Sequence, residues 1–321
     1  MNYVELEWRW AMVLGAALGA GLVEAVAGER KTADGLAVEL GLDRRAVYTV
    51  MSALSELGVL DEAGEGYLLR EGHRGPLLDV ESPGYAGGRV LHRFEVMAKW
   101  ATLPGILLSG RPAEDRTVPR FAGTETTARA MRAGSRESAE EVSALVLSRL
   151  PETPRILDVG GGSGANAESF ARNGASVTVL DRPEVFEVNG GFLAGLGIKL
   201  VSGDMNVALP EGPFDGVYLG NTSHMYGPDE NRALFAKMYE ALAPGGCVVV
   251  REFVRGLYGD VAGEAALFAV NMLVLTSRGG TYTTGEYRGW LEEAGLSDVE
   301  FLPIAGRTTA LIFARRPPPE G

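Results

Sequence analysis

The chain has 321 residues, 46% hydrophobic and 22% charged, with 42 acidic against 30 basic side chains and a formal charge of −12. That composition belongs to a soluble globular protein of about two domains and excludes a disordered chain. The negative balance repels phosphate backbones and anionic lipid heads, so neither nucleic acid nor a membrane is expected as partner.

The apolar stretch Ala11 to Ala27 resembles a targeting signal, but Glu5 and Glu7 stand before it against Arg9, and Glu24 interrupts it. Without a basic leader region it reads as a buried helix, and the expected setting is cytoplasmic. From Lys31 a helix–turn–helix pattern follows. Thr32 should cap a helix Ala33 to Leu40, which Gly41 closes. Asp43 should cap a second, Arg44 to Leu57, with Val47, Val50, Met51, Leu54 and Leu57 on one face. Val59-Leu60 and Tyr67-Leu68-Leu69, joined by Glu62 to Gly66, read as a two-stranded wing. This predicts a winged-helix domain over residues 1–105. Arg44 and Arg45 at the start of the second helix would suit DNA, but the charge balance favours packing and dimerisation.

Residues 106–150 form a helical connector contributing to a substrate pocket, and residues 151–321 read as the catalytic domain. In it Arg155 to Val159, Ser176 to Leu180, Ile198 to Val201, Gly216 to Leu219 and Cys247 to Val250 are apolar runs with helices between them. Such alternation predicts a parallel sheet in a doubly wound α/β domain. Val299 to Leu302 and Thr309 to Phe313 should add an antiparallel pair. Cys247, the single cysteine, permits no internal disulfide or cysteine-based zinc site and should be buried.

The strongest chemical signal is Asp158-Val159-Gly160-Gly161-Gly162-Ser163-Gly164, a strand running into a glycine loop. Glycines let backbone approach a ligand closely, and such a loop lies at the ligand crevice of doubly wound folds. Gly160, Gly162 and Ala165 also fit the dinucleotide fingerprint, with Asp181 suited to a ribose. Asp158 decides between ligands. A carboxylate beside a pyrophosphate is repelled, whereas it suits the ammonium and sulfonium of S-adenosylmethionine (SAM). Gly203-Asp204-Met205 after the third strand offers an adenine a hydrogen bond and a stacking surface, and Asn221 follows the fourth strand. His224 alone among three histidines falls at this edge. Glu252 ends the fifth strand, within reach to orient it.

These motifs, with Val179-Leu180-Asp181-Arg182-Pro183-Glu184-Val185 and Leu242-Ala243-Pro244-Gly245-Gly246, resemble the plant-type small-molecule O-methyltransferases and their bacterial natural-product relatives. The resemblance spans nearly the whole chain. It implies a Rossmann-like seven-stranded SAM-binding sheet with a reversed last strand, and a homodimer formed through the amino-terminal winged-helix domain. It also implies a cofactor site at Asp158, Gly160, Gly162, Gly164, Asp181, Gly203, Asp204, Met205 and Asn221. The catalytic histidine would be His224 and one supporting acid Glu252. A second acid belongs just after a Gly-Gly pair, yet Gly279-Gly280 is followed by Thr281-Tyr282-Thr283, with no acid until Glu286.

A small, flat, apolar acceptor would meet Phe94, Met97, Trp100, Tyr226, Tyr258, Phe268 and Met272, each of which also suits a core. No ligand spacing suggests a metal. The expected reaction is methyl transfer to a hydroxyl of an aromatic or polyketide-like molecule. Carbon or nitrogen transfer, a SAM-binding decarboxylase or hydroxylase, and a SAM-responsive DNA-binding regulator remain the alternatives.

Overall fold

The computed structural model describes residues 2–3, 7–80, 82, 84–112, 124–257 and 263–318, and their side chains except those of 124–131, 133, 134 and 137. The described residues fall into two compact units, one within Met1–Ala101 and Glu114–Gly134, the other within Thr102–Ala113 and Ser135–Gly321.

In the first unit the amino-terminal apolar stretch is two helices, α1 (Trp8–Gly19) and α2 (Leu22–Ala25), where the sequence suggests one. Gly21 takes φ 76° between them and turns the chain. Leu14, Ala17, Leu22 and Val23 are buried, as expected of a packed segment. After β1 (Lys31–Thr32) come α3 (Ala33–Leu40) and α4 (Arg44–Glu56). The Thr32 hydroxyl accepts the Gly35 N–H at 3.1 Å and the Asp43 carboxylate the Ala46 N–H at 2.9 Å, so both predicted caps form. Arg44 is ion-paired with Asp34.

The hairpin strands β2 (Leu60–Ala63) and β3 (Gly66–Leu69) run further toward their turn than the apolar residues mark. Gly64 at φ 61° tightens the connection. α5 (Glu71–Leu78) and α6 (Gly87–Trp100) complete the described elements of this unit up to Ala101. α6 packs on α1, where Phe94 lies so close to Gly15 that a Cβ there would stand 2.4 Å from it.

The second unit contains α7 (Leu103–Ser109) and, of the helix α8 (Thr124–Leu147), the residues from Ser135 on. Strand and helix then alternate: β4 (Arg155–Val159), α9 (Ala165–Arg172), β5 (Ser176–Asp181), α10 (Pro183–Gly195), β6 (Lys199–Ser202) and β7 (Phe214–Gly220). They are followed by α11 (Pro228–Ala241), β8 (Leu242–Glu252), β9 (Val254–Arg255), α12 (Glu264–Leu275), β10 (Tyr282–Thr283), α13 (Thr284–Glu293), β11 (Ser297–Pro303) and β12 (Ala310–Arg315). Leu242 is the C-cap of α11 and opens β8.

Among the described residues seven strands form one sheet in the order β11-β12-β8-β7-β4-β5-β6. β6 to β8 are parallel, and β12 runs antiparallel to both its neighbours. Alternation along the strands fills two cores. Leu157, Val217, Val248 and Ile312 meet Leu234, Phe235 and Met238 of α11 and Tyr287 and Trp290 of α13. Ile156, Tyr218, Val249 and Phe313 meet Val142 and Val146 of α8, Phe170 of α9 and Leu193 of α10. Cys247 is buried in this second layer. The strand order reverses between β4 and β7, so their carboxyl ends open the crevice where such sheets hold ligands. Among the described residues no helix is long and apolar enough to cross a membrane.

Candidate active site

The glycine loop between β4 and α9 is shaped by backbone conformation. Gly160, Gly162 and Gly164 take φ of 69°, 54° and 80°, a region side chains strain to enter. The loop also lies flat on its neighbours. A Cβ on Gly160 would stand 2.7 Å from the Met205 methyl, and one on Gly164 2.6 Å from Leu193. Asp181, at the end of β5, braces the loop: its Oδ2 accepts the Gly162 N–H at 2.7 Å and its Oδ1 the Arg182 N–H at 2.8 Å.

Asp158 lies beneath this loop, 1% exposed, with Oδ2 bonded to nothing in the protein. Burial foremost, and then the Asp181 carboxylate, push its pKa up to about 7. Gly203, Asp204 and Met205 follow β6. The Gly203 N–H extends the ladder to Asp181 O at 3.0 Å, and Asp204, exposed, accepts the Asn206 N–H. Asn221, beyond β7, is exposed and left-handed at φ 50°, its N–H donating to Arg251 O. The residues proposed for the cofactor thus gather at the carboxyl ends of four adjacent parallel strands.

One step further along the chain, a single turn of 3₁₀ helix, Ser223–Met225, presents His224. Its Nδ1 lies 2.9 Å from both carboxylate oxygens of Glu252, which is fully buried at the end of the adjacent strand β8. Glu252 also accepts the backbone N–H groups of His224 at 3.3 Å and Phe253 at 3.1 Å. A carboxylate only accepts, so Nδ1 carries the proton, and the lone pair of the neutral ring is on Nε2.

Phe268 of α12 sets its ring edge-on to the imidazole, 4.9 Å between centroids, and Phe253 stacks on Phe268 at 3.9 Å. A cavity of about 300 Å³ begins two residues past Glu252, lined by Val254, Leu257, Ala265 and Ala310 with Glu264 and Arg307.

The other pocket candidates are placed differently. Tyr226 ends the His224 turn, half-buried, and Met272 is 2% exposed in the interior. Phe94, Met97 and Trp100 are half-buried on α6 in the other unit, and Tyr258 lies outside the described residues. Thr281 follows the Gly279-Gly280 pair, and its hydroxyl donates to Ala265 O at 3.0 Å. Glu286 caps its own helix, accepting from Thr283 N and Oγ1 at 2.8 Å. Among the described residues Glu252 is therefore the carboxylate bonded to His224, and no group of three or more His, Cys, Asp or Glu is placed to hold a metal.

Sequence reasoning did not single out Phe253, Tyr282, Tyr287 or Asn231. Asn231 left a signal. With Leu234, Phe235 and Met238 it occupies i, i+3, i+4 and i+7 of α11, the buried face, where an amide needs a reason.

The O-methyltransferase domain family matches residues 123–297 of the chain. The 3-hydroxy-5-methyl-1-naphthoate 3-O-methyltransferase of Streptomyces sahachiroi is 30% identical, over 93% of this chain and 89% of that protein. The tetracenomycin polyketide synthesis 8-O-methyl transferase TcmO of Streptomyces glaucescens is 28% identical, over 86% and 84%. The solved structure of PigF with SAH superposes with a TM-score of 0.70 at 23% identity, over 96% of each chain, a likeness of fold. By its sequence match, its sheet order and its glycine loop, the chain belongs to the O-methyltransferase domain family.

Proposed function

We propose that the protein transfers the methyl group of SAM to a hydroxyl of a small aromatic or polyketide-like acceptor, with His224 as the base. The observation that carries this reading is the buried, two-oxygen grip of Glu252 on His224 Nδ1 at the ligand edge of the sheet.

The crevice fits SAM on two counts. Oδ2 of the Asp158 carboxylate is buried without a protein partner, as suits a site for a cationic ligand, and the glycine loop leaves no room for a Cβ at Gly160 or Gly164. Asp158, Gly160, Gly162, Gly164, Asp181, Gly203, Asp204, Met205 and Asn221 would hold it. SAM, when bound, supplies a methyl group already activated by a positive sulfur.

The acceptor is what needs activating, because a phenolic hydroxyl has a pKa near 10. His224 Nε2 takes that proton. Glu252 holds the ring in the required tautomer and stabilises the imidazolium that forms, a contribution of roughly 10²–10⁴-fold. Phe268 and Phe253 give the imidazole an apolar neighbour that excludes water and suits a flat acceptor. The naphthoate and the polyketide synthesis named for the two Streptomyces relatives support this substrate class.

The amino-terminal helices and hairpin serve, in this reading, as a winged-helix module that forms a homodimer. Trp8, Val38 and Tyr48 stand exposed there, 59–86% accessible, as side chains awaiting a partner would. The working compartment is the cytoplasm. His224→Ala tests the central assignment: turnover should fall at least 100-fold while SAM affinity stays within about threefold. Turnover equal to that of the unaltered enzyme removes His224 from the role of base.

A further inference from the structure

We infer that Asn231, a residue with no place in the reaction itself, is the positioning residue that fixes the His224 turn; the inference rests on the reading of His224 as base. Asn231 is fully buried in the first turn of α11. Its Nδ2 lies in hydrogen-bond range of three carbonyls, Ser223 O at 3.0 Å, Tyr226 O at 3.2 Å and Gly227 O at 3.2 Å, so that its two N–H groups serve all three with one shared. These carbonyls bracket His224 on both sides. All three partners are acceptors, so the NH₂ group faces the turn, and Oδ1 is left buried without a protein partner. A side chain that leaves its own oxygen unsatisfied to serve three carbonyls is specified by the turn and not by the helix core.

Further contacts of the turn come from the segment after α12. Gly280 N–H donates to His224 O at 3.0 Å, and the Tyr282 hydroxyl donates to Tyr226 O. Ser223 Oγ shares a hydrogen bond with the buried Tyr287 hydroxyl at 2.8 Å. Within the turn Glu252 holds the ring and the His224 N–H, which leaves the carbonyl side to these groups. The family resemblance puts a second carboxylate in this region, where Thr281 turns to Ala265 O. The chain instead fixes the base through its backbone, and Asn231 supplies the largest share of those bonds. Displacing a reacting group by about 1 Å costs on the order of 10²-fold in rate.

The test compares Asn231→Asp, Asn231→Ser and His224→Ala in the full chain. Aspartate keeps the shape but turns an oxygen toward three carbonyls, and serine keeps a single donor. Both should bind SAM within about threefold of the parent and hold acceptor KM within about threefold. Both should lower kcat about 10- to 100-fold, aspartate the more. With three histidines in the chain, the His224 Nδ1 proton is assignable by its loss in His224→Ala, and its resonance should shift or broaden in both Asn231 variants.

If His224→Ala abolishes turnover while a folded Asn231 variant keeps kcat within twofold or leaves the Nδ1 resonance unmoved, the inference is wrong and the base assignment stands. If His224→Ala retains full turnover, the underlying reading fails instead. Loss of folding or of SAM binding in both Asn231 variants also overturns the inference, because Asn231 would then be holding the domain and not the turn.

Discussion

Asp158→Asn should change how stability depends on pH, and the size of the change follows from the structure. Asp158 keeps its proton up to about pH 7 in the folded chain, against an ordinary value of 3.8. Below pH 3.8 folded and unfolded chains are both protonated, and the group has no effect. Between 3.8 and about 7 the unfolded chain ionises and the folded chain does not. Stability therefore falls as pH rises, by about 1.4 kcal/mol per pH unit, and above pH 7 the whole penalty, about 4 kcal/mol, is present.

Asparagine does not titrate, although its buried amide keeps a cost of about 1–3 kcal/mol at every pH. Between pH 5.5 and 8 the unliganded wild type should therefore lose about 2 kcal/mol relative to the variant, roughly 4–8 °C in Tm for a domain of this size. Thermal melts of both proteins across that range measure it. Melting curves that move in parallel, within about 1 °C, would refute the claim that Asp158 is buried with its charge uncompensated. A cation beside Asp158 favours the carboxylate, so SAM affinity of the wild type should rise with pH below 7, by up to about tenfold per unit, and that of Asp158→Asn should not.

Glu252→Gln keeps the volume but presents the imidazole with an amide, which can favour the wrong tautomer and cannot stabilise an imidazolium. We expect kcat to fall on the order of 10²–10⁴-fold with SAM binding kept, by steady-state kinetics and calorimetry; an unaltered kcat contradicts the Nε2 assignment. Gly279→Ala would place a Cβ 2.2 Å from His224 O, a backbone atom that cannot yield without moving the turn. It should destabilise the protein by about 1–3 kcal/mol in denaturant titration and lower kcat, and an indifferent protein would show the turn to be loosely held.

The central strands were legible because the apolar runs of β4, β5, β7 and β8 are buried on both faces, with polar residues at their carboxyl ends. Asp158, Asp181, His224 and Glu252 stand out in the sequence for that reason. His73 shows what the pattern screens out: it is bonded to Tyr3 and to Gly58 O, a structural histidine outside the parallel sheet. What the sequence did not carry is tertiary. That Asp181 would brace the loop through Gly162 N, and that Gly279-Gly280 would support His224 O, depends on where separate elements meet. Boundaries slipped where hydrogen bonding outran hydrophobicity, as in the hairpin continued through Glu62-Ala63, whose side chains are exposed. The break at Gly21 went unread because the residues on both sides are equally apolar.

The most direct test of the whole account is to supply the enzyme with methyl-labelled SAM and a set of hydroxylated aromatic acceptors, and to locate the label in the product by NMR. The expected product is an aryl methyl ether formed one-to-one with S-adenosylhomocysteine. A label found on carbon or nitrogen, with the hydroxyl untouched, would contradict it.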